Sequence, residues 1–168
     1  MKNLIPLGEI ATSLQCHYGE ECPPGTKGIP VAKVSNINSE GNFHREFEHR
    51  CYPEKLLNRL LVEEGELLVV KSSGSKTNIL SGKTAYCDQT VSGKLVASNF
   101  LMRLKIDHKK ADAKYLWHVL NSPFSKNFVK RIAGTTTYPN LKWSTYSNHP
   151  IPLPPLEEQR RIAAILDK

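Results

Sequence analysis

The chain has 168 residues, 39% of them hydrophobic and 23% charged, which is enough for one globular domain with a real core and leaves no room for a second. Its net charge of +7 and pI near 9.3 suit an anionic partner such as nucleic acid. No apolar run approaches the roughly 20 residues that span a bilayer, and Met1 to Pro6 lacks the apolar region of a secretion signal. The expectation is therefore a cytoplasmic protein with no membrane contact. Cys16, Cys22, Cys51 and Cys87 are scattered and form no close ligand pair, even with His17, His44 and His49 nearby. Free thiols in a reducing compartment, and no metal, are expected.

In chain order, Leu7, Ile10, Ala11 and Leu14 have helical spacing and predict a short helix over Leu7 to Leu14. Gly19 to Gly28 is a loop. Ile29 to Val34 reads as a strand that leaves through Asn36 and Asn38. Those asparagines suit adenine edges, although shaping a turn is the favoured role. Phe43 to Tyr52 is an irregular strand, and Pro53 opens a helix to Leu61. Leu67 to Val70 is a short apolar run bounded by turn signals, hence a buried strand.

Next comes Lys71-Ser72-Ser73-Gly74-Ser75-Lys76-Thr77-Asn78, a loop dense in hydrogen-bond donors. Its lysines suit phosphates, and its small hydroxyls suit phosphates or base edges. Gly82-Lys83-Thr84 hints at a phosphate loop. That motif needs a glycine five residues before its Gly-Lys, and Thr77 stands there. Lys83 instead precedes a strand over Thr84 to Cys87.

Leu95 to Ile106 is the longest strand candidate, with Phe100, Met102 and Leu104 on one face and Arg103 and Lys105 on the other. Asp112 caps a helix over Ala113 to Leu120, and Ser122 caps a second that ends before Gly134. Lys126, Lys130 and Arg131 fill the polar side of that second helix, as a solvated face or as a phosphate-tracking one. Thr135-Thr136-Thr137-Tyr138-Pro139-Asn140 is a second donor-rich loop, followed by Lys142 and by Trp143 and Tyr146, which suit a core. No catalytic motif occurs: no G-x-S-x-G elbow, no H-E-x-x-H, no dinucleotide fingerprint.

The chain closes with Ile151-Pro152-Leu153-Pro154-Pro155-Leu156, an extended piece of alternating proline and aliphatic residues. Pro155 then opens a helix, with Glu157 and Glu158 in its first turn, where the dipole favours negative charge. Ile162, Ile165 and Leu166 recur as an apolar stripe. A helix of about three turns is marginal alone, so the stripe needs either the globular body or a partner helix.

The run IPLPPLEEQRRIAAILDK resembles the segment that closes a target-recognition domain in the specificity subunit of Type I restriction-modification systems. Leu7-Gly8-Glu9-Ile10, Glu64-Gly65-Glu66-Leu67-Leu68-Val69, Ala97-Ser98-Asn99-Phe100-Leu101 and Gly134-Thr135-Thr136 resemble further landmarks of that family, in the expected order. The resemblance implies a mixed α+β fold with a mainly antiparallel sheet. It places a DNA target-recognition domain at 1–154 and the start of a spacer and dimerisation helix at 155–168. It implies a non-catalytic subunit that recognises double-stranded DNA. Partner modification and restriction subunits would methylate adenine or cleave, and S-adenosylmethionine, ATP and magnesium would belong to them, leaving this chain no cofactor of its own.

In that family a full subunit carries two recognition domains joined by antiparallel helices, whereas this chain has one domain and the first turns of one helix. A half-length subunit, a truncated product and an excised domain all fit. The family match does not name the reading residues. Charge and loop chemistry select Lys71, Ser73, Ser75, Lys76 and Thr77 in one loop, and Thr135, Thr136, Thr137, Tyr138 and Lys142 in the other. Ile162, Ile165 and Leu166 are the candidates for helix pairing, including a homodimer. The alternative is an assembly module that docks on the modification subunit and reads no DNA itself.

Overall fold

The computed structural model describes residues 3–72, 79–133 and 140–168. Its centre is a four-stranded antiparallel sheet in the order β2-β8-β5-β6, formed by Ala11–Leu14, Leu101–Ile106, Leu67–Val70 and Thr84–Tyr86. The four residues of β5 are all fully buried, because both faces of the sheet are covered. Side chains alternate across a strand, so Leu67 and Val69 join Met102, Leu104 and Ile106 in one core while Leu68 and Val70 join Ala85 and Leu101 in another.

The first core is closed by two helices, α2 (Ala113–Asn121) and α3 (Pro123–Ala133). The second is closed by a small sheet, in which β3 (Ile29–Ala32) pairs antiparallel with β4 (Glu48–Arg50) and parallel with β7 (Val96–Ala97). A third pairing joins β1 (Leu4–Pro6) to β9 (Pro150–Pro152). The architecture is thus mixed α+β with mainly antiparallel pairing, as expected.

Four sequence expectations change. Leu7 to Leu14 is not a helix but a single 3-10 turn, Leu7–Glu9, followed by strand β2. The turn is held from outside: Leu7 N–H donates to the His149 carbonyl at 2.9 Å and Gly8 N–H to the Ser147 carbonyl at 2.8 Å. Leu95 to Ile106 is not one strand. It breaks at 98–100, with β7 in the small sheet and β8 in the central one, and Phe100 is left 49% exposed.

Arg103, assigned to a polar face, is buried. Its guanidinium meets Glu66 at 2.6 and 2.9 Å and caps the carbonyls of Arg59, Leu60 and Leu61 at the end of α1 (Glu54–Leu60). Finally, Cys22 and Cys51 form a disulfide, and only Cys16 and Cys87 are free. Glu20 and Cys51 exchange backbone hydrogen bonds at 3.0 and 2.9 Å. That pairing folds the 19–28 loop back onto β4 and brings the two Cα atoms to 5.1 Å.

Asn36 and Asn38 do shape a turn. Asn36 accepts from Lys33 N–H and donates to the His44 and Glu46 carbonyls, while Asn38 accepts from the N–H groups of Glu40 and Asn42. The turn needs Gly41 at φ +79°, since a Cβ there would lie 2.3 Å from the Thr84 carbonyl oxygen.

The closing helix, α5 (Leu156–Leu166), packs on α2 through Gln159 and Ala163, both buried. Gln159 accepts from Asp112 N–H at 2.8 Å and donates to the Pro154 carbonyl at 2.7 Å and the Lys110 carbonyl at 3.2 Å. Asp167 then bridges Lys114 at 2.6 Å and His118 at 2.8 Å on α2. The body therefore takes a different face from the expected stripe. Ile165 and Leu166 remain 65% and 55% exposed, and Ile162 is half-buried.

Candidate nucleic-acid interface

The two donor-rich loops lie far apart in sequence, yet they rise from one place. Ser72 and Asn140 form an isolated antiparallel bridge, and Leu141 N–H donates to the Lys71 carbonyl at 2.7 Å. Lys71 N–H in turn donates to the Phe100 carbonyl at 3.1 Å, which ties the junction to the start of β8. Ser73, Ser75, Lys76, Thr77, Thr135, Thr136, Thr137 and Tyr138 lie outside the described residues. Lys71 and Lys142 lie within them.

Lys71 and Lys142 line one open cleft of about 310 Å³, together with Asn99, Asn140 and Trp143 over a floor of Leu14 and Met102. Among the described residues no carboxylate lines it. A lysine offers only donors and a fixed positive charge, while an asparagine offers both a donor and an acceptor on one planar group. The combination suits a polyanion carrying mixed donor and acceptor edges. Asn99 lies outside both loops and is an addition, Asn140 belongs to the second loop but is not among the residues selected from it, and the exposed Phe100 follows Asn99 in the chain. Phe100 stands edge-on to Tyr18 at 6.5 Å, and the Arg50 guanidinium lies 4.4 Å from the centre of that Tyr18 ring. Cys16 also lines the cleft. Burial pushes its thiol above the ordinary range, which disfavours a reactive thiolate.

One pair elsewhere imitates a catalytic arrangement. Ser125 Oγ and His149 Nε2 stand 2.6 Å apart, both fully buried. The proton inventory argues against an activated serine. Ser125 Oγ also lies 2.7 Å from the Val119 carbonyl, which can only accept, so the hydroxyl proton points there. His149 Nε2 must then donate to Ser125. Its Nδ1 has no partner among the described residues, so no carboxylate orients the ring as a general base requires. Instead Phe128 stacks on it at 4.3 Å, and burial lowers its pKa to about 4. The pair anchors α3 to the segment before β9. Among the described residues no cluster of histidine, cysteine or carboxylate groups is placed to hold a metal.

Fold and cleft together define a basic α+β domain whose open, carboxylate-free face carries paired loop roots. The chain belongs to the Type I restriction modification DNA specificity domain family, whose model matches residues 20–168. It is 30% identical over 113 residues to the Type I restriction enzyme MjaVIII specificity subunit of Methanocaldococcus jannaschii, covering 67% of this chain and 24% of that protein. It is 37% identical over 54 residues to the MjaIX specificity subunit of the same organism, covering 32% of this chain and 12% of that one. Among solved structures, the HsdS subunit from Thermoanaerobacter tengcongensis shares the fold, with a TM-score of 0.67 at 24% identity over 98% of this chain and 40% of that one. The chain thus spans about a quarter of the MjaVIII subunit and two fifths of the HsdS chain.

Proposed function

We propose that this chain recognises a short sequence of double-stranded DNA and so directs partner subunits of a Type I restriction-modification complex. The observation that carries the reading is the pairing of the roots of both donor-rich loops beside one cleft that no carboxylate of the described residues lines, in a chain of the DNA specificity family. Lys71 and Lys142 hold phosphates by charge, which is independent of sequence and weakens with salt. Asn99 and Asn140 supply the bidentate donor and acceptor pair that fits an adenine edge in the major groove. The chain acts without catalysis and without a cofactor of its own, in the cytoplasm. Modification and restriction subunits supply the S-adenosylmethionine-dependent methylation of adenine and the cleavage, with the ATP and magnesium these need. Residues 155–168 act as the start of a spacer helix.

A second reading, an assembly module without DNA specificity, draws support from the exposed Ile165 and Leu166 on α5. Selection of random duplexes at two salt concentrations separates the two. A short motif that stays enriched at the higher salt is expected. Uniform binding that collapses with salt overturns specific reading and favours assembly.

A further inference from the structure

A second cleft, of about 560 Å³, opens between α3 and the segment leading into β6. Among the described residues it shares no lining residue with the first. Lys71 and Asn140, at the start of one donor-rich loop and the end of the other, line the first, while Ile79, just after the first loop, and Lys130, in the last turn of α3, line the second.

The charge in the second cleft is one-sided. Lys83, Lys126 and Lys130 line it, and no carboxylate does. Several other lysines of the chain have acidic partners: Lys33 pairs with Glu48, Lys110 with Asp107 and Lys114 with Asp167. Among the described residues, Lys83, Lys126 and Lys130 form no ion pair. Lys126 and Lys130 sit four apart on α3, a spacing at which like charges on a helix repel. Lys83 is half-buried, and among the described residues its ammonium bonds only the Ile37 carbonyl, at 2.9 Å. Burial without a counter-charge pulls its pKa below the ordinary lysine range. Asn121, which also lines the cleft, is occupied by the backbone of Thr84 on both its oxygen and its nitrogen. The charged groups that line the cleft are all ammonium groups, beside the hydroxyls of Ser39 and Ser81, and an anion seated among them would relieve both the repulsion and the burial.

We propose that this second cleft seats phosphates of the DNA backbone, apart from those held by Lys71 and Lys142, with Lys83, Lys126 and Lys130 as the contacting groups. This rests on the DNA-reading function above. A duplex that meets both clefts would then be held by lysines at each. Contacts of this kind position the protein and carry no sequence information.

The test is binding of the full chain, wild type and Lys126→Gln/Lys130→Gln, to a selected duplex and to a scrambled duplex across a salt series. Both side chains are exposed on α3, so the fold should survive. Two lost phosphate contacts should lower the slope of log K against log salt by about two. Affinity should drop by the same factor on both duplexes, leaving their ratio unchanged. Lys126→Arg/Lys130→Arg should keep the wild-type slope, and Lys83→Gln should lower it by about one. An unchanged slope in the double glutamine variant, with wild type still preferring its selected duplex, overturns the phosphate site and leaves DNA reading intact. A changed ratio at constant slope also overturns it, by making these lysines base contacts. A wild type without sequence preference removes the reading, while a reduced slope in the variant would still place phosphates in the cleft. A wild type that binds neither duplex at low salt removes both.

Discussion

Arg103 and Lys83 are both cations beside the central sheet, and the fold uses them in opposite ways. Arg103 has five N–H donors, and its five hydrogen bonds go to Glu66 and to three carbonyls at the end of α1. Lys83 bonds one carbonyl and faces an open cleft. The first charge is consumed in joining a helix to a sheet, and the second is left beside the loop roots. Net charge alone cannot make this distinction, because both residues count equally towards it.

The largest expected effect lies on the consumed side. Glu66→Ala would strand the Arg103 guanidinium in a site that is 4% exposed. Removing one partner of a buried ion pair costs about 3–5 kcal/mol, to be read as a lower urea midpoint at unchanged m-value. Replacing both partners, with Glu66→Leu and Arg103→Met together, should cost less than the single change, since no charge is left unpaired. A double variant as unstable as the single one would mean that the carbonyl caps, rather than the ion pair, carry the stability.

A buried histidine gives the next effect. His149 is neutral in the folded chain, with its pKa lowered by burial to about 4 from an ordinary value of 6.5. Above pH 6.5 both states are neutral there and the contribution to stability is complete. As pH falls from 6.5 towards 4, the unfolded chain binds a proton that the folded chain refuses. Stability then drops by roughly 3 kcal/mol over that window. Subtracting the same urea series for His149→Gln isolates this share from the carboxylates Glu48, Asp88 and Asp167. Those groups titrate below their usual range in the folded state and act at lower pH. Equal pH profiles for the two proteins would remove His149 as the source.

Much of this architecture was legible in the sequence, and the failures have physical causes. β5 was legible because a four-residue apolar run between turn signals has few other uses. α2 was legible because Asp112 accepts from Tyr115 N–H, an ordinary cap. The Leu7 to Leu14 helix failed because helical spacing over so few residues is also met by a turn followed by a strand, and the partners that decide, Ser147 and His149, lie far along the chain. Arg103 was misplaced because alternation along a strand reports two faces but not that both are covered. The disulfide was missed because it depends on one loop folding back on β4. Of the candidate interface, the donor-rich loops and Lys71 and Lys142 were visible as composition. Asn99 and the cleft around Lys83 were not, because the first needs the tertiary pairing of Ser72 with Asn140 and the second the packing of α3 beside the segment before β6.

The smallest effects separate two faces of α5, a helix that repeats the opening contrast at lower charge. Gln159 is fully buried and its amide meets the backbone of Asp112, Lys110 and Pro154. Gln159→Ala would leave those groups unsatisfied and should cost about 1–3 kcal/mol. On the outer face, Ile165→Ser with Leu166→Ser should change the stability of the isolated chain by no more than about 0.5 kcal/mol, because both side chains are mostly exposed. Sedimentation then tells what the outer face is for. If the wild type sediments as a dimer and the double serine variant as a monomer of equal stability, the stripe is a pairing surface between copies. If both are monomeric, pairing between copies is excluded for this chain, and the stripe is left to the assembly role with a modification subunit.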